Sequence, residues 1–476
     1  MKKLIPSPYL RKVKGDLKKI IDILSPDFSY VSILATDVTG REYQVLPSEV
    51  RLGDSPDAER GFVLRVMGSR GFSELSFNHL DVDEVVEKAR ALVENDRAGL
   101  LQSVDPLDYE EEPQDEAWTG SFVREVENLP QEDSAEEILQ TLRKELDQGL
   151  EKYKELSFLS TALIITQVDK LFLSKNKDLT QTYAYAQAMA AAVAANDKGS
   201  KQDFAGYSGL AGSEVLDRIP GLIEKAAQSA IGLLDAEPIE PGVYDIITDQ
   251  TFSGLIAHEA FGHGAEMDMY VKNRAKGNEF TDKRVGSSIL TMKDGAEGVD
   301  QVASFVFDDE GNPAANTTVI DQGILRSGMC DELSALQLGF HPTGNGRRES
   351  YKRKAYARMT NTYFPGQNAR LDDMIASIDH GYFLQGYTSG MEDPKNWGIQ
   401  CVALKGLEIK DGRLTGKIVS PVYLTGYVPD LLHSISMISS IDDVELDGIG
   451  YCGKGWKEWV KVSMGGAYMK ARGRLN

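Results

Sequence analysis

Cysteine, histidine and positive charge are all in short supply in this sequence, and each shortage excludes something. Three cysteines (Cys330, Cys401 and Cys452) in 476 residues are too few and too scattered for a disulfide framework, so a reducing cytoplasm is the expected compartment. Acidic side chains outnumber basic ones 73 to 52, giving a formal net charge of -21. Nucleic acid and anionic membrane surfaces would be repelled, and neither is expected as a partner. A solvated acidic exterior that aids solubility accounts for the charge. No apolar run reaches the roughly 18 residues that span a bilayer. The opening Met1–Lys12 is basic but lacks the continuous apolar region of a secretory signal.

What is present is the ordinary material of a folded protein, long enough for two or three domains with real cores. From Phe28 to Phe77 the pattern predicts strands: Ser29–Ala35 and Glu42–Leu46 joined through the turn-like Asp37–Gly40, then Gly61–Met67 and Gly71–Phe77. Val82–Asn95 has helical spacing, and Asp105–Ala117 reads as an acidic linker. Ser134–Leu156 predicts a capped amphipathic helix, followed by Ser157–Gln167 and Leu171–Lys175 as a hairpin about Asp169 and Lys170. Thr180–Asn196 is assigned to a strand and Ser213–Leu234 to a helix that Pro220 kinks or restarts.

The breakers of Glu237–Gly242 mark the best boundary, dividing residues 1–236 from 237–476. Beyond it, Gly242–Thr248 predicts a strand and the next helix starts near Asp249 or Thr251. Short β-rich runs then dominate (Ser304–Phe307, Thr318–Ile320, Trp397–Leu404, Leu407–Ile409, Arg413–Val419), with helices at Leu371–Ile378 and Leu431–Ile438. The expected fold class is α+β: an N-terminal mixed α/β domain, then a β-rich C-terminal domain built around one motif helix.

That helix carries His258, Glu259 and His263 within six positions of a chain that has only six histidines. Imidazoles bind zinc, and a neighbouring carboxylate can take a proton from the water that the metal activates. The spacing is H-E-x-x-x-H, one residue longer than H-E-x-x-H. In a regular helix the extra residue turns the second side chain roughly 140° away from the first. A wide turn with i→i+5 bonding restores the alignment, and Gly262 eases the departure from α geometry. A π-bulge or an early helix end at Phe261–Gly262 is therefore predicted. Two histidines still leave a catalytic zinc site one ligand short, and Glu266, Asp268, a distant histidine or a cysteine could supply it. Cys452, between Gly450 and Gly453, is the strongest of these; Cys330 and Cys401 read as small buried hydrophobes.

The run His258–Glu266 resembles the signature of the TldD/PmbA metallopeptidase family. Asp308–Pro313, Thr343–Arg348, Arg358–Tyr363 and Gly450–Lys454 resemble it too, in the family's order. The resemblance implies Zn2+ held by His258, His263 and Cys452, with Glu259 as the catalytic base. Glu266 is assigned to orienting a ligand histidine, and Arg347, Arg348 and Asn361 to substrate contact. The implied activity is a zinc-dependent peptidase acting on peptides or unfolded segments inside a dimer cavity. The dimer would be a homodimer or a heterodimer with a PmbA/TldE-type subunit. The competing readings are a non-catalytic partner subunit and a zinc hydrolase of a non-peptide amide. One departure stands out: the family commonly continues with Gly-Gln after Cys-Gly-Lys, whereas here Gly455-Trp456-Lys457-Glu458 follows.

Overall fold

A computed structural model describes residues 1–68, 71–100, 113, 115–456 and 458–476. Most of the predicted acidic linker, residues 105–112 and 114, falls outside the described residues. The first half is organised by an eight-stranded sheet whose strands lie between Tyr30 and Gly209. Tyr30–Leu46, Leu156–Ser174 and Lys177–Asn196 are its long central members.

Side-chain alternation sets the sheet's two faces. Val31, Ile33, Ala35, Leu171 and Leu173 pack under the helices Pro8–Leu24 and Val82–Leu100. Tyr43, Val45, Leu159, Leu163 and Ile165, of the same parity, pack under Ala135–Lys152 and Ile219–Gly232. The opposite face, with Leu34, Val38, Val168 and Phe172, meets Phe305 and Phe307 from the second half of the chain. Burial on both faces explains why these strands read as almost continuous apolar runs.

Two predicted turns prove to be the middles of strands. Asp37–Gly40 lies inside Tyr30–Leu46, and Asp169-Lys170 lies inside Leu156–Ser174. Asp37 and Asp169 are register partners. Both point to the helix side, where they receive the start of the first helix: Ser7 N donates to Asp169 Oδ1 at 2.9 Å and Ser7 Oγ to Asp37 Oδ2 at 2.5 Å. Ser7 itself caps that helix by accepting from Leu10 N. The acidic residues at these positions thus serve a helix N-terminus and not a chain reversal. Thr180–Asn196 is strand, as predicted, within Lys177–Asn196, and the helix after Ser213 restarts at Ile219 beside Pro220.

In the second half, Gly242–Thr248 pairs in parallel with His380–Asp393 and antiparallel with Met469–Leu475. Gly398–Lys410 and Val422–Tyr427 complete the circuit, closing the strands into a barrel. The two predicted strands around Leu404 and Leu407 are one. Ser304–Phe307 forms no strand, its backbone going to local turns and to Gln181. The predicted Leu431–Ile438 helix is Val428–Ser434, followed by a short strand at Met437–Ile438. The motif helix lies against Ser463–Gly466, so closely that a Cβ on Gly254 would run into the backbone of Gly465. Among the described residues, no helix is long and apolar enough to cross a membrane.

Candidate metal centre

The motif helix begins at Gln250, with Asp249 as its N-cap accepting from Phe252 N. Phe252, Leu255, Ile256, Ala260 and Phe261 anchor it in the core. From Ile256 to Gly262 the backbone winds as a π-helix, then tightens to a 3₁₀ turn at His263–Ala265. The bond that makes the difference is His263 N–H to His258 O, a five-residue step that brings the second histidine back over the first. The predicted departure from α geometry is thus found: the π turn begins at Ile256 and includes Phe261 and Gly262. Glycine leaves room there, because a Cβ on Gly262 would press on Met359 Sδ and on the Ala257 carbonyl.

The two imidazoles meet edge to face with centroids 5.0 Å apart. Cys452 reaches them from the hairpin Tyr451–Lys454/Glu458–Lys461, with Sγ 3.7 Å from His263 Nε2. One ligand atom from each of His258, His263 and Cys452 lies within 4.8 Å of the others. Ligand atoms around a tetrahedral zinc are roughly 3.3–3.8 Å apart, so the set closes on an ion with small side-chain movements. His258 Nδ1 is buried without a hydrogen-bond partner, which also fits a donor atom directed at an ion.

The electrostatics favour the thiolate, the ligand form, at Cys452 and a protonated ring at His263, which would give up its proton on binding a metal. Burial would raise the Cys452 thiol, yet the neighbouring His263 and His258 hold it well below its usual range. Burial would lower His263, but Cys452 and Glu266 raise it well above the ordinary imidazole value. Glu266 Oε2 sits 3.1 Å from His263 Nδ1 and fixes the ring from behind. Glu266 is in turn kept ionised: burial opposes this, but Lys454, His263 and Arg358 together outweigh it. Lys454 Nζ lies 3.1 Å from Glu266 Oε2 and donates to Asp268 Oδ1 at 2.6 Å. Asp268 is therefore occupied by Lys454 and Lys272, away from a ligand role. Glu259 is half-buried, its side-chain methylenes against Gly390.

The remaining candidates are spent inside the fold. Arg347 donates to the carbonyls of Met359 and Lys461, and Arg348 pairs with Glu74. Asn361, fully buried, donates to Gly295 O and accepts from Ser463 Oγ. All three side chains therefore have internal partners, as buried polar groups do. Cys330 and Cys401 are fully buried, and burial pushes the Cys330 thiol up to about 12.

Three residues escaped the sequence reading. Arg358, fully buried, donates to the carbonyls of Cys452 (2.5 Å) and Glu458 (3.2 Å), tying down both strands of the cysteine hairpin. Lys454 links that hairpin to Glu266. Glu392 accepts from Gly264 N at 3.0 Å, steadying the chain just after His263. Arg358 and Lys454 lie inside motif runs, but only their tertiary partners reveal their roles. Glu392 carries no local signal.

A His-Glu pair and a second His on one turn, met by a distant cysteine, form a cluster whose donor set could hold a metal ion of the zinc type. Residues 241–473 match the PmbA/TldA metallopeptidase C-terminal domain, and this part of the chain belongs to the PmbA/TldD family. The metalloprotease TldD homologue of Buchnera aphidicola is 32% identical over 274 residues, a match spanning 57% of this chain and 56% of that relative's length. A metalloprotease of Synechocystis sp. is 27% identical over 97% of this chain and 98% of its own. The zinc metalloprotease TldD homologue of Saccharolobus solfataricus is 29% identical over 51% of this chain and 53% of its own. TldE from Thermococcus kodakarensis has the same fold, with a TM-score of 0.76 at 16% identity over 97% of this chain and 99% of its own.

Proposed function

We propose that this chain is a zinc-dependent peptidase that hydrolyses peptides or unfolded segments. The convergence of His258, His263 and Cys452 ligand atoms within 4.8 Å carries the reading. The metalloprotease names of its relatives support it. Zinc held there would supply Lewis acidity towards a carbonyl and would acidify water to a pKa of about 7.

The chain's own residues do the rest. Glu259 accepts the proton of the water that attacks the peptide carbonyl and delivers it to the departing amine. Glu266 keeps the His263 ring oriented through Nδ1, while Lys454 and Arg358 keep Glu266 charged. In this reading residues 237–476 form the catalytic domain and residues 1–236 the domain that covers it. The active particle is a dimer, either of two copies or with a PmbA/TldE-type subunit, and substrate enters its cavity.

The test is the Glu259→Gln variant with unfolded casein as substrate. The variant should retain about one zinc per chain, by atomic absorption, while turnover falls about 10²- to 10⁴-fold. Unchanged turnover would remove Glu259 from the mechanism. A wild-type chain that binds no zinc and cleaves nothing would be a passive subunit instead.

A further inference from the structure

A cleft of about 910 Å³ lies behind the cysteine hairpin, and the metal cluster does not use it. Neighbouring residues of a strand point to opposite faces, so with Cys452 turned to the histidines, Tyr451 and Gly453 face the other way. Trp459 is the register partner of Gly453 and lays its ring across it, where a Cβ would sit 2.9 Å from the indole. Tyr451 and Trp459 form one wall of the cleft. The loop Pro56–Arg60 of the N-terminal sheet and the segment Glu349–Lys352 form the others, with Tyr351 seated on Gly61. One hairpin therefore separates the metal cluster from a cavity shared by both halves of the chain.

The lining combines aromatic rings with aimed carboxylates. Asp57 Oδ2 accepts from the hydroxyls of Tyr185 and Tyr451. Glu59 Oε2 accepts from Tyr351 N and Glu349 Oε1 from Trp459 N. These bonds fix each carboxylate beside a ring. The chain's own cations are already engaged: Arg60 with Asp37 at 2.9 Å and the Tyr9 ring, Lys352 over the Tyr351 ring at 5.4 Å, Lys461 over the Tyr451 ring at 4.1 Å, and Arg353 beside Glu349 Oε2 at 3.6 Å. The half-exposed Trp459 ring, with the Glu349 carboxylate bonded at its backbone, attracts a flexible cationic side chain and repels an anionic one.

We infer that this cleft is a recognition site for a lysine or arginine side chain of a bound polypeptide. Its occupant rests on the peptidase reading above.

The experiment uses full-length, zinc-loaded Glu259→Gln protein and fluorescein-labelled unstructured peptides that differ at one position, Lys, Arg, Gln or Glu. Anisotropy titration should give Lys and Arg peptides about fivefold or more tighter binding than Gln, with Glu weakest. Trp459→Ala and Glu349→Gln, both at partly exposed positions, should bring the basic peptides down to the Gln value, and Trp459→Phe should restore much of the preference. Equal affinity across the four peptides, or a preference that survives both substitutions, would overturn the assignment. A wild-type protein that cleaves none of these peptides while the basic preference stands would sink the peptidase reading alone. Cleavage without any preference would sink only the cleft.

Discussion

Glu266 shows how much of the candidate metal site depends on side chains outside the ligand cluster. It orients His263, and its charge is maintained by Lys454 and Arg358, which also hold the hairpin of Cys452. Glu266→Gln should therefore weaken zinc binding by about 10- to 100-fold, measured by competition with a chromophoric chelator. A change of less than twofold would mean the ring is held by packing alone. At this scale the sequence was informative where chemistry is local. His258, Glu259, His263 and Glu266 lie within nine positions, and their types and spacing point to their roles. Arg358 was invisible because its partners, Cys452 and Glu458, are about a hundred positions away. The internal acceptors of Arg347 and Arg348 were likewise out of sight, since they lie on distant segments.

Among elements, the π turn is the one on which the site depends. Gly262→Ala would drive a methyl into Met359 and press the segment back towards α geometry. We expect a loss of about 1–3 kcal/mol in stability, read from urea unfolding of zinc-free protein, together with less than one zinc per chain. Full zinc content in a stable variant would show that the turn tolerates a side chain. The need for this turn was legible, because five-residue spacing on a straight helix cannot serve one ion. The long strands were not. Asp37 and Asp169 in mid-strand mimic turn chemistry, and only the arrival of Ser7 from another element explains them. Ser7→Ala should cost about 1–2 kcal/mol by the same unfolding measurement, since it removes both the helix cap and a buried bond.

For the whole molecule, the halves are joined by buried charge, and pH should act on that joint. Arg65 in the N-terminal sheet contacts Glu74 at 2.7 Å and Glu310 at 2.6 Å, while Arg348 pairs with Glu74. Burial would raise Glu74, but Arg65 and Arg348 hold it below the usual carboxylate range. Its contribution is present above the unfolded value and lost as pH falls through that range. Other buried carboxyls work in the opposite sense. Burial lifts Glu59 and Glu332 to about 7, and burial with Glu310 lifts Asp331 to about 6. Their folded forms bind protons more tightly than the unfolded chain, so stability declines as pH rises through those values. The melting temperature of chelator-treated protein should thus be higher near pH 5.5 than near pH 8, and should drop again below about pH 4. A flat profile from about pH 5 to 8 would mean these carboxyls titrate normally.

The docking of Ser7 onto two facing aspartates has a practical corollary. A protease that trimmed the chain past this serine would act at the periphery, yet the damage would appear in the interior. Asp37 and Asp169 would then face each other across neighbouring strands with only Arg60, Thr182 and Gln167 left as donors between them. Resistance of the amino-terminal tail to limited digestion is therefore a gauge of whether the sheet beneath is intact.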